Sequence, residues 1–416
     1  MKPNTHHSPL TTHHSSLAPA LRFPEFRDAG PWEVKQLGDL CDMRAGSFVA
    51  AAEIHSEPGD GLYPCYGANG LRGYTRSYTH TGAYSLIGRQ GAYCGNVQFV
   101  EGSFHATEHA VVVSLKQRAN TRFFYYRLVK ADLPRLATGQ AQPGLSVGRL
   151  EGLPVSFPTL AEQQKIADCL SSLDELIELQ AKKLEALQAH KKGLMQQLFP
   201  REGETTPRLR FPEFRDAGPW EVKRLGELAR ELLDGDWIES KDQSLDGIRL
   251  IQTGNIGLGI YIDNADKVRF ISEDTFERLK CSEVFPGDLL ISRLPDPAGR
   301  CCLIPNIGKR MITAVDCTIV RLDQQKAIPY FCLSYCQTDR YFQEVGTLSA
   351  GSTRKRISRQ NLGDVRIPTP KLSEQQKIAD CLSSLDELIE LQARKLEALK
   401  AHKKGLMQQL FPNCEL

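Results

Sequence analysis

The chain has 416 residues, 41% of them hydrophobic and 25% charged, with a formal net charge of +2. That length exceeds what one hydrophobic core serves, so at least two domains are expected, and the apolar and charged fractions are those of an ordinary soluble protein. No apolar run approaches the roughly 18 residues of a membrane span, and a net charge so close to zero advertises no global attraction to nucleic acid.

Residues 1–20, MKPNTHHSPLTTHHSSLAPA, lack the basic start and apolar stretch of a secretory signal. Their Pro, Ser and Thr content predicts a disordered leader, and His6, His7, His13 and His14 read as part of that tail rather than as a metal site. The 12 cysteines are scattered without a CxxC pair, so reduced thiols and a cytoplasmic location are expected. Cys169 and Cys381 fall on an apolar helical face and read as small core residues.

A lead-in, LRFPEFRDAGPWEVKQLG at 21–38, opens the first repeat and returns at 209–226 with 17 of 18 positions identical. Block 39–149 follows. GAYSLIGRQGAYCGNVQFV and AVVVSL predict strands, RFFYYRLVKADL a short helix, and TGQAQPGLSVGRL a glycine-rich loop. Block 227–361 does not match the first. It predicts strands in IRLIQTGNIGLGIYI, GDLLISRL and ITAVDCTIVRL, a helical segment in IPYFCLSYCQTDRYFQEV, and a polar loop in SAGSTRKRISRQNL. Both blocks are therefore α+β. Residues 40–150 carry 11 basic against 7 acidic side chains and 227–362 carry 18 against 19, so a polyanion would need the basic groups gathered on one face.

Guanidinium groups match guanine, and Gln or Asn amides match adenine, at two points each. On that chemistry Tyr66, Arg72, Tyr74, Arg76, Arg89 and Gln90 are the candidate DNA contacts of the first block. Gln252, Asn255, Arg293 and Arg300 are those of the second, with Arg354, Lys355, Arg356 and Arg359 as a basic run suited to phosphates.

EQQKIADCLSSLDELIELQAKKLEALQAHKKGLMQQLFP at 162–200 returns at 374–412 with 37 of 39 positions identical. Ile166, Leu170, Leu173, Ile177, Leu184, Leu187, Leu194 and Leu198 recur at alternating spacings of four and three once Gln180 and Lys191 are counted in, the seam of a coiled coil. Ile378, Leu382, Leu385, Ile389, Leu396 and Leu399 carry the seam of the second copy. Thr159 and Glu162 suggest a capping box, as do Ser373 and Gln376, and Pro200 and Pro412 stop the helices. Gly193 and Gly405 suggest close packing contacts, and Gln180 and Lys191 a device for fixing register. A lone apolar stripe is unstable in water, so the two copies are expected to pair antiparallel with each other; pairing with a second chain is the alternative. The expected domains are 1–20 leader, 21–158 and 209–370 globular, and 159–208 and 371–416 helical.

Framework and variable blocks together resemble the specificity subunit of type I restriction–modification systems. The resemblance rests on the passages into each helix, LSVGRLEGLPVSFPTLAEQQKIADCL at 145–170 and ISRQNLGDVRIPTPKLSEQQKIADCL at 357–382. YPCYGANGLRGY with LIGRQGAYCGNV, and the FPEFRDAGPWEVKQLG lead-in, add to it. It implies two target-recognition domains on two long antiparallel helices, a pseudo-two-fold internal repeat. It further implies a non-catalytic chain that reads the two halves of a bipartite site in double-stranded DNA and fixes their spacing. The implied partners are two methyltransferase subunits and restriction subunits, with S-adenosylmethionine, ATP and Mg used by those partners and no cofactor held by this chain. A system whose partner fuses methylase and nuclease, and a two-domain protein adaptor, are the competing readings.

The sequence contains no GxxxxGK[ST], GxGxxG or Asn/Asp-Pro-Pro-Tyr motif. His105-Ala-Thr-Glu108-His109 matches HxxEH, but that zinc chemistry needs a helix, and this segment runs into the strand-forming AVVVSL. A strand places the two imidazoles about 13 Å apart.

Overall fold

The structure is a computed structural model and describes residues 18–116, 118–139, 143–295, 297–351 and 356–412. The predicted leader, apart from its last three residues, lies outside the described residues, as do Arg354 and Lys355. The chain forms two compact units, one of residues 1–181 with 394–416 and the other of residues 182–393. No helix among the described residues is long and apolar enough to cross a membrane.

Unit one contains β1 (Glu33–Gln36), α1 (Leu37–Leu40), β2 (Cys41–Ala45), β3 (Tyr63–Gly67), β4 (Gly70–Thr75), β5 (His80–Gly88), β6 (Val97–Ala106) and β7 (Ala110–Leu115). Then come α2 (Thr121–Lys130), α3 (Val147–Glu151), β8 (Pro154–Phe157) and the start of α4 (Leu160–Leu198). A six-stranded sheet runs β2-β7-β5-β6-β3-β4, antiparallel except where β3 lies parallel to β6, and β1 pairs with β8. One sheet face, with Met43, Ile87, Val111 and Val113, packs on Phe123, Phe124 and the helices; the other buries only Leu86, Val100, Phe104, Ala106 and Val112.

Unit two repeats the plan with different contents. Its elements are β9 (Glu221–Arg224), α5 (Leu225–Leu228), β10 (Ala229–Asp234), β11 (Gln243–Ser244), β12 (Ile248–Ile251), β13 (Phe270–Ile271), α6 (Glu273–Leu279), β14 (Glu283–Val284) and β15 (Leu289–Ser292). They continue with β16 (Cys301–Leu303), β17 (Met311–Thr313), β18 (Cys317–Leu322), α7 (Pro329–Tyr335), α8 (Asp339–Leu348), α9 (Arg359–Asp364), β19 (Arg366–Thr369) and the start of α10 (Leu372–Leu410). The sheets run β10-β18-β15-β16 and β11-β13-β12-β17-β14, and β9 pairs with β19. The long strand expected in IRLIQTGNIGLGIYI stops at Ile251, because the Asn255 amide accepts from Gln252 N at 2.9 Å and turns the chain.

The two long helices meet as the heptads require. In unit one, Ile166, Ala167 and Leu170 of α4 share a core with Leu406, Met407 and Leu410 of α10, and Asp174 further along α4 pairs with Lys403. Position rises along one helix as it falls along the other, so the segments run antiparallel. Unit two mirrors this: Ile378, Ala379 and Leu382 pack with Leu194, Met195 and Leu198, and Lys191 donates to both Asp386 oxygens at 2.6 and 2.7 Å. Each Asp also accepts from a tyrosine of its own unit, Tyr126 at 2.7 Å and Tyr330. The seam lysine therefore has a fixed partner in one helical register, where a slip of one turn would leave a half-buried carboxylate without its cation.

Each helix end also plugs the other copy's domain. Phe411 packs on Trp32 and Phe123 with ring centroids at 6.2 and 5.5 Å, and Phe199 packs on Trp220 and Phe331 at 6.4 and 5.4 Å. Burying such a ring contributes about 1.5–3 kcal/mol.

Three details differ from the sequence expectation. Glu162 does not close a capping box: Thr159 caps the helix, but the Glu162 carboxylate takes Arg22 Nε and Nη2 at 2.7 Å each, with Trp32 Nε1 at 3.4 Å. In the second copy Ser373 is already helical and Gln376 donates to Asp380, while Glu374 binds Arg210 and Trp220. These buried pairs tie the lead-in to the helix start. Gly193 and Gly405 face open space, so no packing contact requires them.

Candidate nucleic-acid interface

The two variable blocks, unlike in sequence, share a backbone frame. Strand β5 ends at Gly88, whose N donates to Asn96 O and whose O accepts from Gly95 N; β15 ends at Ser292 with the same two bonds to Arg300 and Gly299. The next residue, Arg89 or Arg293, donates its N to His109 O or Asp316 O and accepts from Leu145 N or Ile357 N. Beyond β2, Gly46 N reaches Ala110 O and Ser47 N reaches Ala106 O; beyond β10, Gly235 N reaches Cys317 O and Asp236 N reaches Thr313 O. A Cβ on Gly46 would lie 2.1 Å from Ala106 O, and one on Gly235 would lie 2.2 Å from Ala314 O, so glycine is needed at both crossings.

Four segments therefore converge at the same place in each unit: the crossing after β2 or β10, the loop after β5 or β15, the turn before β7 or β18, and a short antiparallel bridge. That bridge is Thr138–Gly144 in unit one and Ala350–Arg356 in unit two. In unit one the β3–β4 tip joins the cluster, since a Cβ on Gly88 would strike Ala68 O at 2.7 Å.

Of the sequence candidates in unit one, Arg72, Arg89 and Gln90 are exposed around this cluster, and Tyr66 is half-buried with its ring edge-on to Phe104 at 6.0 Å. Burial, with Tyr74 adding to it, pushes the Tyr66 hydroxyl pKa up, so it stays a neutral donor. Tyr74 and the exposed Arg76 lie toward the far end of the hairpin, Arg76 about 13 Å along the strand from Arg72.

In unit two the polar groups are more heavily engaged. Arg293 is 7% exposed, with Nη1 3.0 Å from Asp234 and Nη2 on Val315 O. Arg300 donates to Thr253 O, Ile256 O, Leu294 O and Pro295 O, stapling two loops together. Asn255 is buried, with Nδ2 on Ile262 O at 2.8 Å. These three, singled out from sequence as base readers, hold loops in shape and leave few donors for a base edge. Gln252 is half-buried, whereas Arg356 and Arg359 are exposed, paired with Asp316 at 2.9 Å and Asp234 at 3.6 Å.

His105, next to last in β6, is buried with Nε2 3.1 Å from Ser47 O, and His109 sits in the turn before β7 beside Glu108. The HxxEH segment thus lies in strand and turn, as its sequence context indicates. Among the described residues no group of three His, Cys, Asp or Glu could hold a metal ion.

The two units thus share one backbone frame, carry unlike loop surfaces upon it, and are each anchored to a long helix. The family profile described as "Type I restriction modification DNA specificity domain" matches residues 30–189 and again 218–401. The chain belongs to that family of type I restriction–modification specificity proteins. It is 25% identical over 423 residues to the type I restriction enzyme MjaVIII specificity subunit of Methanocaldococcus jannaschii, covering 94% of this chain and 93% of that one. It is 44% identical over 143 residues to the type I restriction enzyme EcoprrI specificity subunit of Escherichia coli, a match spanning 34% of this chain and 36% of that protein. In structure it is similar to a type I restriction–modification S subunit from M. genitalium, with a TM-score of 0.67 at 18% identity over 96% of this chain and 100% of the other.

Proposed function

We propose that each unit reads one half of a bipartite site in double-stranded DNA and that the paired helices set the gap between halves. The observation that carries this is the shared frame: the same backbone crossings, the same four segments, and different side chains upon them. Arg72, Arg89, Gln90, Arg356 and Arg359 are proposed as contacts to base edges and phosphates, since all are exposed at or beside the clustered loops. Arg354 and Lys355 belong to the same basic run and are proposed as phosphate contacts.

On this reading the chain performs no catalytic step and holds no cofactor. Two methyltransferase subunits carry S-adenosylmethionine, and restriction subunits use ATP and Mg. Its place is then the cytoplasm, where the chromosome is.

The test is a map of methylated adenines in cells that express the chain with its cognate methylase. Replacing block 39–149 with that of a relative should change one half-site alone; a change in both halves would refute modular reading. Seven residues added to both helices lengthen each by about 10 Å, or roughly three base pairs of DNA. An unaltered gap would refute the spacer role.

A further inference from the structure

The two most exposed aromatic rings among the described residues are Phe48, at 75%, and Trp237, at 70%. Single exposed apolar residues are commonplace. These two, however, occupy one position of the shared frame. Each lies two residues past a glycine crossing, Gly46 or Gly235, in blocks whose sequences do not match.

The backbone on either side holds each ring outward. Ser47 N donates to Ala106 O and Ser47 O faces His105 Nε2 at 3.1 Å, while Val49 on the far side is 7% exposed. In unit two, Asp236 N donates to Thr313 O and its carboxylate accepts from Ser282 N at 2.9 Å, while Ile238 packs into a core. Tethered residue, outward aromatic, inward aliphatic: the order is the same in both copies, so neither ring exchanges places with its neighbour.

The surroundings are polar and carry both charges. Gly46 N and Arg89 N bond to the adjacent carbonyls of Ala110 and His109, so the crossing that carries Phe48 and the loop that carries Arg89 meet at one turn. Trp237 follows Asp234, the partner of Arg293 and Arg359, by three residues, and its Nε1 donates to Glu239 at 3.4 Å. An outward ring on a loop cluster that also carries guanidinium groups is the chemistry that engages a base face next to a phosphate chain.

We infer that Phe48 and Trp237 are equivalent stacking residues, each pressing against a base face in its own half-site and opening one step of the duplex there. The inference rests on the reading of the chain as a DNA specificity subunit and adds a distortion component to what the arginines read.

The protein carries its own probe. Of its three tryptophans, Trp32 and Trp220 are 2% and 4% exposed, so emission open to acrylamide comes from Trp237. With 7-azatryptophan incorporated into this chain alone and the complex reconstituted with its modification subunits, a duplex bearing the mapped site should quench Trp237 and shield it from acrylamide. A scrambled duplex should not. Phe48→Ala and Trp237→Ala should each weaken site binding roughly 5- to 150-fold, with Phe48→Trp and Trp237→Phe restoring it. Site-bound complexes in which Trp237 stays open to acrylamide, or alanine variants that bind unchanged, overturn the inference. Alanine variants that bind fewer modification subunits, by sedimentation without DNA, overturn it in favour of a protein-docking role. An unaltered complex without site preference would remove the DNA reading itself, and stacking with it.

Discussion

Glu374 and Arg210 form a buried pair whose removal has a calculable cost. Their side chains are 2% and 7% exposed, both guanidinium–carboxylate bonds are 2.7 Å, and Trp220 Nε1 adds a third donor at 3.3 Å. Glu374→Gln keeps the shape and an acceptor for the indole but leaves the arginine charge buried without its counter-ion, which costs about 3–5 kcal/mol. For a unit of this size each kcal/mol moves the melting point by about 2–4 °C, so unit two should melt roughly 6–20 °C lower. Adding Arg210→Met should recover most of the loss, because the uncompensated charge is then gone. Circular dichroism with urea and thermal unfolding, run as a double-mutant cycle, reads both numbers. Glu162→Gln should do the same to unit one, where Arg22 and Glu162 are 10% and 1% exposed. A loss below about 1 kcal/mol, the range of surface pairs, or a double variant worse than the single, would refute the reasoning.

The seam clasp predicts that Asp386→Lys weakens helix pairing in unit two and that Lys191→Asp added to it restores the pairing, read by protease protection of 182–198. Gly46→Ala forces a Cβ onto backbone that has no room to move, at a cost on the order of 3 kcal/mol, and should abolish site binding while leaving the helices intact by far-UV circular dichroism. Burial, reinforced by His105, holds the His80 imidazole pKa below its ordinary 6.5. The unfolded chain then binds more protons between that lowered value and 6.5, so unit one is fully stable above 6.5 and loses stability as pH falls through the window. His80→Gln should flatten that dependence in urea midpoints taken at about pH 7.5 and about pH 5.5.

The helices were legible because heptad spacing is a local property, and Lys191 at a seam position already suggested a register device. The Thr159 capping box fails because Glu162 answers to an arginine 140 residues away, which no local pattern reveals, and the Ser373 box because that serine is already helical and Gln376 turns to Asp380. The shared frame of the variable blocks was hidden for a related reason. It consists of backbone hydrogen bonds between distant strands, and side chains are free to differ around them. A faint trace exists in Gly46-Ser-Phe-Val and Gly235-Asp-Trp-Ile, but the second lies one residue further from its lead-in. A β-bulge between Ala229 and Glu231 absorbs that extra residue. Asn255, Arg293 and Arg300 have the right chemistry for reading bases, yet it is their neighbours' carbonyls and carboxylates that meet them first.

Unit one is assembled from chain segments separated by more than two hundred residues. At 5–20 residues per second, a ribosome needs roughly 10–40 s between completing residue 181 and releasing 394 onward. Throughout that interval the nascent amino-terminal half lacks Phe411 and its helix, which pack on Trp32 and Phe123 in the finished fold. Biogenesis, not final stability, is then where this architecture is most vulnerable, and chaperone dependence during synthesis should exceed that of a protein whose modules are each contiguous.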